Sequence, residues 1–238
     1  MEDGSEIAAH TPAPRRHRGP EGIGEEVATV LGKHAGAGES LSGVEEEALL
    51  KQWFTSHNHL FSEPEWQSLR EVSNDTSEHE VRLRNRDHRA VKRTWPGTFG
   101  NIPRKRDGEW RPLPAVPSEY LLRLALQNEL FGDEIRVEGA MIASGPSMII
   151  GQPPDGLSLV TSQPWLEAVD KQNPYPTESE IAELLRERGF EPIHHSFFGW
   201  RHDAQSLIVL DAKPDNFIKT EVGILPIDLL VTQLFSDN

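Results

Sequence analysis

The chain has no cysteine. That excludes disulfides, thiolate catalysis and cysteine-ligated zinc, and it agrees with a cytoplasmic location. No run of eighteen apolar residues occurs, so no membrane-spanning helix is expected. Residues Met1–His10 lack the basic-then-apolar order of a secretory signal. There is no Gly-x-Ser-x-Gly elbow, which leaves serine hydrolysis without support. Positive charge is also scarce: 24 Lys and Arg face 38 Asp and Glu, a formal net charge of −14, which argues against nucleic acid as a partner for the whole surface. The exception is Arg82–Arg111, where ten Lys/Arg stand with three Asp/Glu, a local excess of +7. Such a patch could face DNA, an acidic partner or nucleotide phosphates, or simply line the solvent face of a hairpin. No aromatic residues alternate with these basic ones as a single-strand stacking platform would require.

Residues 1–40 contain seven glycines and no aromatic residue, too little apolar surface to offset ordering entropy, and are expected to form a disordered tail. Residues 41–64 read as a helix and linker. Ser42-Gly43-Val44-Glu45 has capping-box spacing, and Leu49, Leu50, Trp53 and Phe54 follow on one face, with an end expected near His57. From Trp66 the texture changes to short strands, Leu69–Ser73, Glu80–Arg84 and Arg89–Thr94, separated by polar turns. Pro96–Pro117 reads as a long loop, and Ser118–Phe131 as a helix with Leu121, Leu124, Leu126 and Leu130 inward. Strands are expected at Ile135–Ile142, Ser147–Ile150 and Leu157–Thr161. Thr177 caps a helix over Glu178–Arg188 that Gly189 closes. A buried strand, Ser206–Leu210, precedes a hairpin of Phe217–Thr220 and Ile224–Ile227. This order predicts an α+β protein whose first part is rich in sheet.

The densest group of chemistry-bearing residues is Asp211-Ala212-Lys213-Pro214-Asp215-Asn216, directly after the apolar Leu207-Ile208-Val209-Leu210. Phosphoryl transfer from a nucleotide needs a carboxylate for the attacking hydroxyl's proton and a cation for the charge on the moving group. It also needs metal ligands for Mg²⁺. Asp211 suits the base, Lys213 the cation and Asn216 a metal ligand. Asp228 ends the following hairpin, which would return the chain to the same place as a second metal ligand.

Asp211–Asn216 resembles the catalytic loop of protein kinases, and Pro226-Ile227-Asp228 resembles the metal-binding segment one hairpin later. Lys92-Arg93-Thr94-Trp95-Pro96-Gly97 and Leu126-Gln127-Asn128-Glu129-Leu130-Phe131-Gly132-Asp133 are similar to stretches of the compact serine/threonine/tyrosine protein-kinase-like domains of bacterial and phage polyvalent proteins. The resemblance spans about residues 65–235. It implies a two-lobed protein-kinase-like fold with an extra N-terminal helix. Residues 65–164 would form the first lobe and hinge, and 165–238 a small, truncated second lobe. It implies ATP and Mg²⁺ as cofactors, Lys92 as the phosphate-binding lysine, Glu119 as its partner (with Glu129 competing), and Ser162 and Gln163 at the adenine-contacting hinge.

The departures are as specific. Ser73-Asn74-Asp75-Thr76-Ser77-Glu78 stands where a glycine-rich phosphate loop would be, Val209-Leu210 replaces the His-Arg before the catalytic aspartate, and Leu229-Leu230 replaces Phe-Gly. The expected activity is Mg²⁺-dependent transfer of the ATP γ-phosphoryl group to a hydroxyl of a protein or small molecule. The alternative is an inactive pseudokinase that senses nucleotide or binds a partner, for which the glycine-poor loop speaks. His57-Asn58-His59 reads as helix-end polarity, and the adjacent His194-His195 as a structural or surface pair, since neighbouring imidazoles face apart.

Overall fold

The computed structural model describes residues 22–35, 41–73, 78–142, 156–194, 196 and 198–234. Over residues 22–35 its first element contradicts the expected disordered tail. Helix α1, Gly22–Ala35, places Val27 and Leu31 one turn apart, with Val30 beside them, and Val27 has no exposed surface. Averaging composition over 1–40 hides this short amphipathic stretch, which carries its own apolar face. Helix α2, Gly43–Ser56, begins as expected. The Ser42 amide donates to Glu45 Oε2 at 2.8 Å, and the Glu45 amide donates to Ser42 Oγ at 3.4 Å. Leu50, Trp53 and Phe54 bury against α1. A short helix, α3, Glu63–Gln67, is capped the same way by Ser62 and Glu65 and was not expected. It buries Trp66, whose indole N–H donates to Glu80 Oε1 at 3.0 Å while the guanidinium groups of Arg82 and Arg93 lie 5.3 and 4.8 Å from its ring centre.

Strands β1, Arg70–Ser73, β2, His79–Arg84, and β3, Arg89–Thr94, fall within a residue of their expected limits and form an antiparallel meander. Strands β4, Asn101–Arg106, and β5, Glu109–Pro114, form a hairpin where a loop was expected. Its turn is Asp107-Gly108, both at positive φ (54° and 83°), the turn that matches strand twist. Pro103, Pro112 and Pro114 suggest a loop, but each strand has a single partner in this two-stranded sheet, so missing donors on the outer edges do no harm. Helix α4, Pro117–Phe131, stops at Gly132, which takes the left-handed conformation with φ 70°. Strands β6, Arg136–Ile142, and β7, Leu157–Pro164, complete a five-stranded antiparallel sheet of order β1-β2-β3-β7-β6. The strand expected at Ser147–Ile150 lies outside the described residues.

The remainder is a second unit of sheet and helix. Helix α5, Glu178–Glu187, has the expected Thr177 cap, reinforced by Glu180. Then come β8, Glu191–Pro192, β9, Trp200–His202, β10, Leu207–Leu210, β11, Phe217–Thr220, β12, Gly223–Pro226, and β13, Leu230–Gln233. The second sheet has the order β13-β10-β9-β8, and β11-β12 is a separate hairpin. Flanked on both edges, β10 buries all four of its residues, which accounts for its unbroken apolar sequence.

The molecule is α+β, as expected, with antiparallel sheets and two main apolar cores. One joins α1, α2 and the start of α4 to Leu157 and Leu159 of β7. The other joins Leu126 of α4 to Ile181 and Leu185 of α5 and to Leu207 and Val209 of β10. Helix α4 therefore belongs to both. Among the described residues no helix is long and apolar enough to cross a membrane.

The basic patch is not one face. Arg82, Arg84 and Arg89 are buried in the sheet, bonded to Glu80, to Asp87 and Glu138, and to Ser162 respectively. Arg104, Lys105, Arg106 and Arg111 lie exposed on the β4–β5 hairpin. Because Val27 is wholly buried, Val27→Asp is expected to cost about 3 kcal/mol or more. A urea titration followed by circular dichroism checks it; an unchanged midpoint would mean that α1 is not docked.

Candidate active site

The loop after β10 is shaped by one strained residue and one amide. Asp211 adopts φ 59°, where a non-glycine residue is costly, and turns the chain sharply out of the sheet. Asn216, at the end of the 3₁₀ turn Pro214–Asn216, fastens the loop. Its Nδ2 donates to Asp211 O at 2.7 Å and to Asp211 Oδ2 at 2.8 Å. Lys213 Nζ stands 3.5 Å from Asp211 Oδ1 and 3.7 Å from Asp215 Oδ2. Burial pushes the Asp211 carboxyl above its ordinary value, and Asp228 adds to the rise, against the opposing pull of Asn216 and Lys213.

The β11–β12 hairpin returns the chain to this loop. The Ile227 amide donates to Asn216 O at 2.9 Å, which brings Asp228 within electrostatic reach of Asp211. Lys92, on β3, reaches across from the first sheet and donates to Ile227 O at 2.6 Å. Burial holds its ammonium below the usual lysine value, while Asp228, Asp133 and Glu78 favour the charged form. Asp228 itself is held down at about 2. Burial alone would raise it, but Lys92, Arg123, His79 and Lys213 together outweigh that. Thus Lys92, Asp211, Lys213, Asn216 and Asp228, separated by up to 136 positions in the sequence, are drawn into one cluster.

The other expected residues behave differently. Glu119 does not meet Lys92. As the third residue of α4 its carboxylate folds back to accept from the Val116 amide at 3.0 Å, and Arg104 of the hairpin donates to both its oxygens at 2.6 Å. Glu129 lies on the other end of the helix, lining an open groove with Leu126 and Leu130. Ser162 and Gln163 are buried within β7. The Ser162 hydroxyl accepts from Arg89 Nε at 2.9 Å and donates to Glu138, and its carbonyl accepts from Arg89 Nη2 at 3.1 Å, so its polar atoms serve the sheet. Residues 74–77, most of the segment in the position of the phosphate loop, lie outside the described residues.

Several cleft residues were not anticipated. Arg123, one turn along α4 from Glu119, is 1% exposed and donates from Nη2 to Asp228 Oδ1 and from Nη1 to Glu78 Oε2 at 2.8 Å. His79 shares a 2.9 Å hydrogen bond with Tyr120 Oη through Nε2, and its Nδ1 lies 3.9 Å from Asp228 Oδ2. Donor atoms of Glu78, His79 and Asp228 all fall within 4.8 Å of one another. Gln127 accepts from the Leu229 amide at 3.4 Å and donates to Asp133 Oδ2 at 2.6 Å. The available signal was helical spacing: Tyr120, Arg123 and Gln127 recur at i, i+3 and i+7 on one face, so two polar residues sit where the core face was due.

Comparison with protein-family models, with curated proteins and with solved structures finds no match.

The titrations in the cleft set opposite slopes of stability with pH. Burial first, then Lys92 and Arg123, hold His79 at about 4, although Asp228 and Glu78 pull it up. The unfolded chain therefore binds its proton first, and stability falls as pH drops from about 6.5 to 4. Burial raises Asp133 to about 6 against Gln127 and Lys92, so the folded state resists losing that proton, and stability falls as pH rises from about 3.8 to 6. Asp133→Asn should stabilise the protein by about 1–2 kcal/mol at pH 7.5, after allowance for partial exposure, and not at pH 4. Urea midpoints at the two values check this; an equal gain at both would rule out the ionisation as its source.

Proposed function

We propose that this protein is a Mg²⁺-dependent phosphotransferase that moves the γ-phosphoryl group of ATP to a hydroxyl of a protein or small-molecule acceptor, on a two-lobed protein-kinase-like fold with a reduced second lobe. The observation that carries the reading is the main-chain and side-chain relay joining Lys92 to Ile227, Ile227 to Asn216, and Asn216 to Asp211. It gathers a cation from the third strand, an Asp–Asn loop and an aspartate after a hairpin, in the chain order that kinases use for phosphate binding, base and metal ligation.

Asp211 would accept the proton of the acceptor hydroxyl as that oxygen bonds phosphorus and the bridging oxygen departs with ADP. Its raised pKa suits a base that must take up a proton. Lys213, beside that carboxylate, would offset charge on the moving group. Lys92 would hold the α- and β-phosphates. The oxygens present fit a hard cation: Asn216 directs its amide nitrogen to Asp211, which leaves Oδ1 as an acceptor, and Asp228 keeps Oδ2 off Arg123. Asn216 and Asp228 would hold Mg²⁺, which supplies charge neutralisation of the phosphate oxygens when bound.

One observation favours the alternative, an inactive nucleotide-sensing or partner-binding module. Glu119 is committed to Arg104 and leaves Lys92 without the helix carboxylate that orients it in active kinases.

Two variants test the proposal. Asp211→Asn should lower phosphoryl transfer by about 10²–10⁴-fold, including self-phosphorylation or slow ATP hydrolysis, while ATP affinity stays within a few-fold. Parent protein that binds Mg-ATP but turns over no faster than this variant would instead establish the inactive module. Asp228→Ala should remove the tightening of ATP binding by magnesium. Calorimetric titration with and without Mg²⁺ reads it, and equal affinities in the parent would refute the metal assignment.

A further inference from the structure

Arg123 has no part in the roles assigned above, yet its side chain donates four hydrogen bonds, against two from that of Asn216 and one from that of Lys92. Its Nε donates to Leu229 O at 2.8 Å, Nη1 to Glu78 Oε2 at 2.8 Å and Asn101 O at 3.0 Å, and Nη2 to Asp228 Oδ1. These acceptors come from three separate segments: the residue before β2, the start of β4, and the chain after β12. Glu78 is fixed as firmly, for its Oε1 accepts from the Asn101 amide at 3.0 Å and from Asn101 Nδ2 at 2.8 Å. Gly100 seals the arrangement. It holds φ +65°, and a Cβ there would meet Glu78 Oε2 at 2.9 Å and Arg123 Nη1 at 3.1 Å.

A guanidinium this deeply buried is stable only when matched by charge and by filled donors. Glu78 supplies one negative charge. Asp228 therefore need not be consumed in neutralising Arg123, and its own charge is left for Lys92, which also lowers its pKa, and for an incoming cation. The fork of Arg123, held by four acceptors, fixes the direction of the Asp228 carboxylate through one oxygen and leaves the other available.

We propose that Arg123 and Glu78 act as a positioning pair for Asp228, with the cation on α4 and the carboxylate at the start of β2, the reverse of the lysine-on-sheet, glutamate-on-helix clamp. This rests on the phosphotransferase reading. Glu78 is the last residue of the segment in the place of the phosphate loop, so the pair also ties the end of that segment to Asp228. Neither residue is expected to touch the reacting atoms. Both act through the aim and charge of Asp228.

The test is calorimetric ATP titration of the full chain, with EDTA and with saturating Mg²⁺, on parent, Glu78→Gln and Arg123→Lys. Glu78→Gln keeps the shape but leaves the Arg123 charge to fall wholly on Asp228. The tightening by magnesium should shrink about tenfold, while metal-free ATP binds no more weakly. Arg123→Lys keeps the charge and loses the fork; the magnesium gain should fall similarly, with metal-free affinity within a few-fold. A loss that is equal with and without metal would mark general structural damage and overturn the inference. So would an unchanged magnesium gain in Glu78→Gln, which decides the matter alone if Arg123→Lys fails to fold. A parent that binds no nucleotide refutes the phosphotransferase reading and the inference together. A parent that binds Mg-ATP normally, with variants that match it, refutes the inference only.

Discussion

A guanidinium with 1% of its surface exposed cannot stand unpaired, and the neutralisation of Arg123 is the constraint on which the rest of the cleft depends. It requires a carboxylate at 78, which fixes where β2 begins. It requires a carbonyl at 101, which anchors the β4–β5 hairpin, and the carbonyl of Leu229, which sets the path of the chain into β13. Asp228 is drawn to the same group and thereby to Lys92. The left-handed glycine at 100 is a consequence of this packing, because a side chain there would meet both members of the Glu78–Arg123 pair.

The sheet around it obeys the same rule with other partners. Glu80 accepts from Trp66, Arg82 and Arg93, and Glu138 accepts from Arg84 and Ser162. Each buried arginine has a carboxylate within hydrogen-bond reach, or, for Arg89, the hydroxyl and carbonyl of Ser162 and the carbonyl of Glu134. That explains why a cluster of basic residues in an acidic chain does not form one continuous face: much of it is internal, and the exposed remainder on the hairpin is partly paired, Arg104 with Glu119 and Arg111 with Glu109.

What could be read from the sequence was what local physics decides. The capping box at Ser42, the cap at Thr177, the apolar strand at Leu207–Leu210 and the Asp211–Asn216 loop each depend on residues within a few positions, and all were legible. Errors came where a partner distant in sequence made the choice. Prolines at 103, 112 and 114 suggested a loop because their tolerance in a two-stranded hairpin depends on how many neighbours each strand has. Glu119 suited the lysine by position in the helix, but Arg104 and its own helix terminus claim it. Helix α1 was lost in the glycine-rich average of residues 1–40, although Val27, Val30 and Leu31 carried its pattern. Glu78, His79 and Arg123 left almost no local trace, because a polar residue on an apolar helix face or at a strand edge acquires meaning only when its counter-charge is known.

Helix α4 converts this charge balance into mechanical coupling. Tyr120 and Leu121 are packed in the core with α1 and α2, Leu126 is packed in the core of α5 and β10, and Arg123 and Gln127 lie between them. A helix wedged in two close-packed cores shifts only if both repack, and interiors resist that. The polar residues it carries therefore hold fixed positions relative to both sheets. Arg123 grips Asp228 and Leu229 from one side, and Gln127 accepts the Leu229 amide from the next turn. The segment after β12 is thus registered against the first sheet by the helix, and against the Asp211 loop by the Ile227–Asn216 bond. In the proposed reaction such preorganisation would require little rearrangement, because buried groups on rigid elements have already been desolvated and aimed. The asymmetry between the two aspartates follows: Asp228, gripped from several sides, stays ionised at any ordinary pH, whereas Asp211, on a strained loop with fewer cationic neighbours, is the carboxylate whose proton affinity is raised. Two carboxylates whose environments push their pKa values apart are suited to different tasks, the first to holding charge and the second to moving a proton.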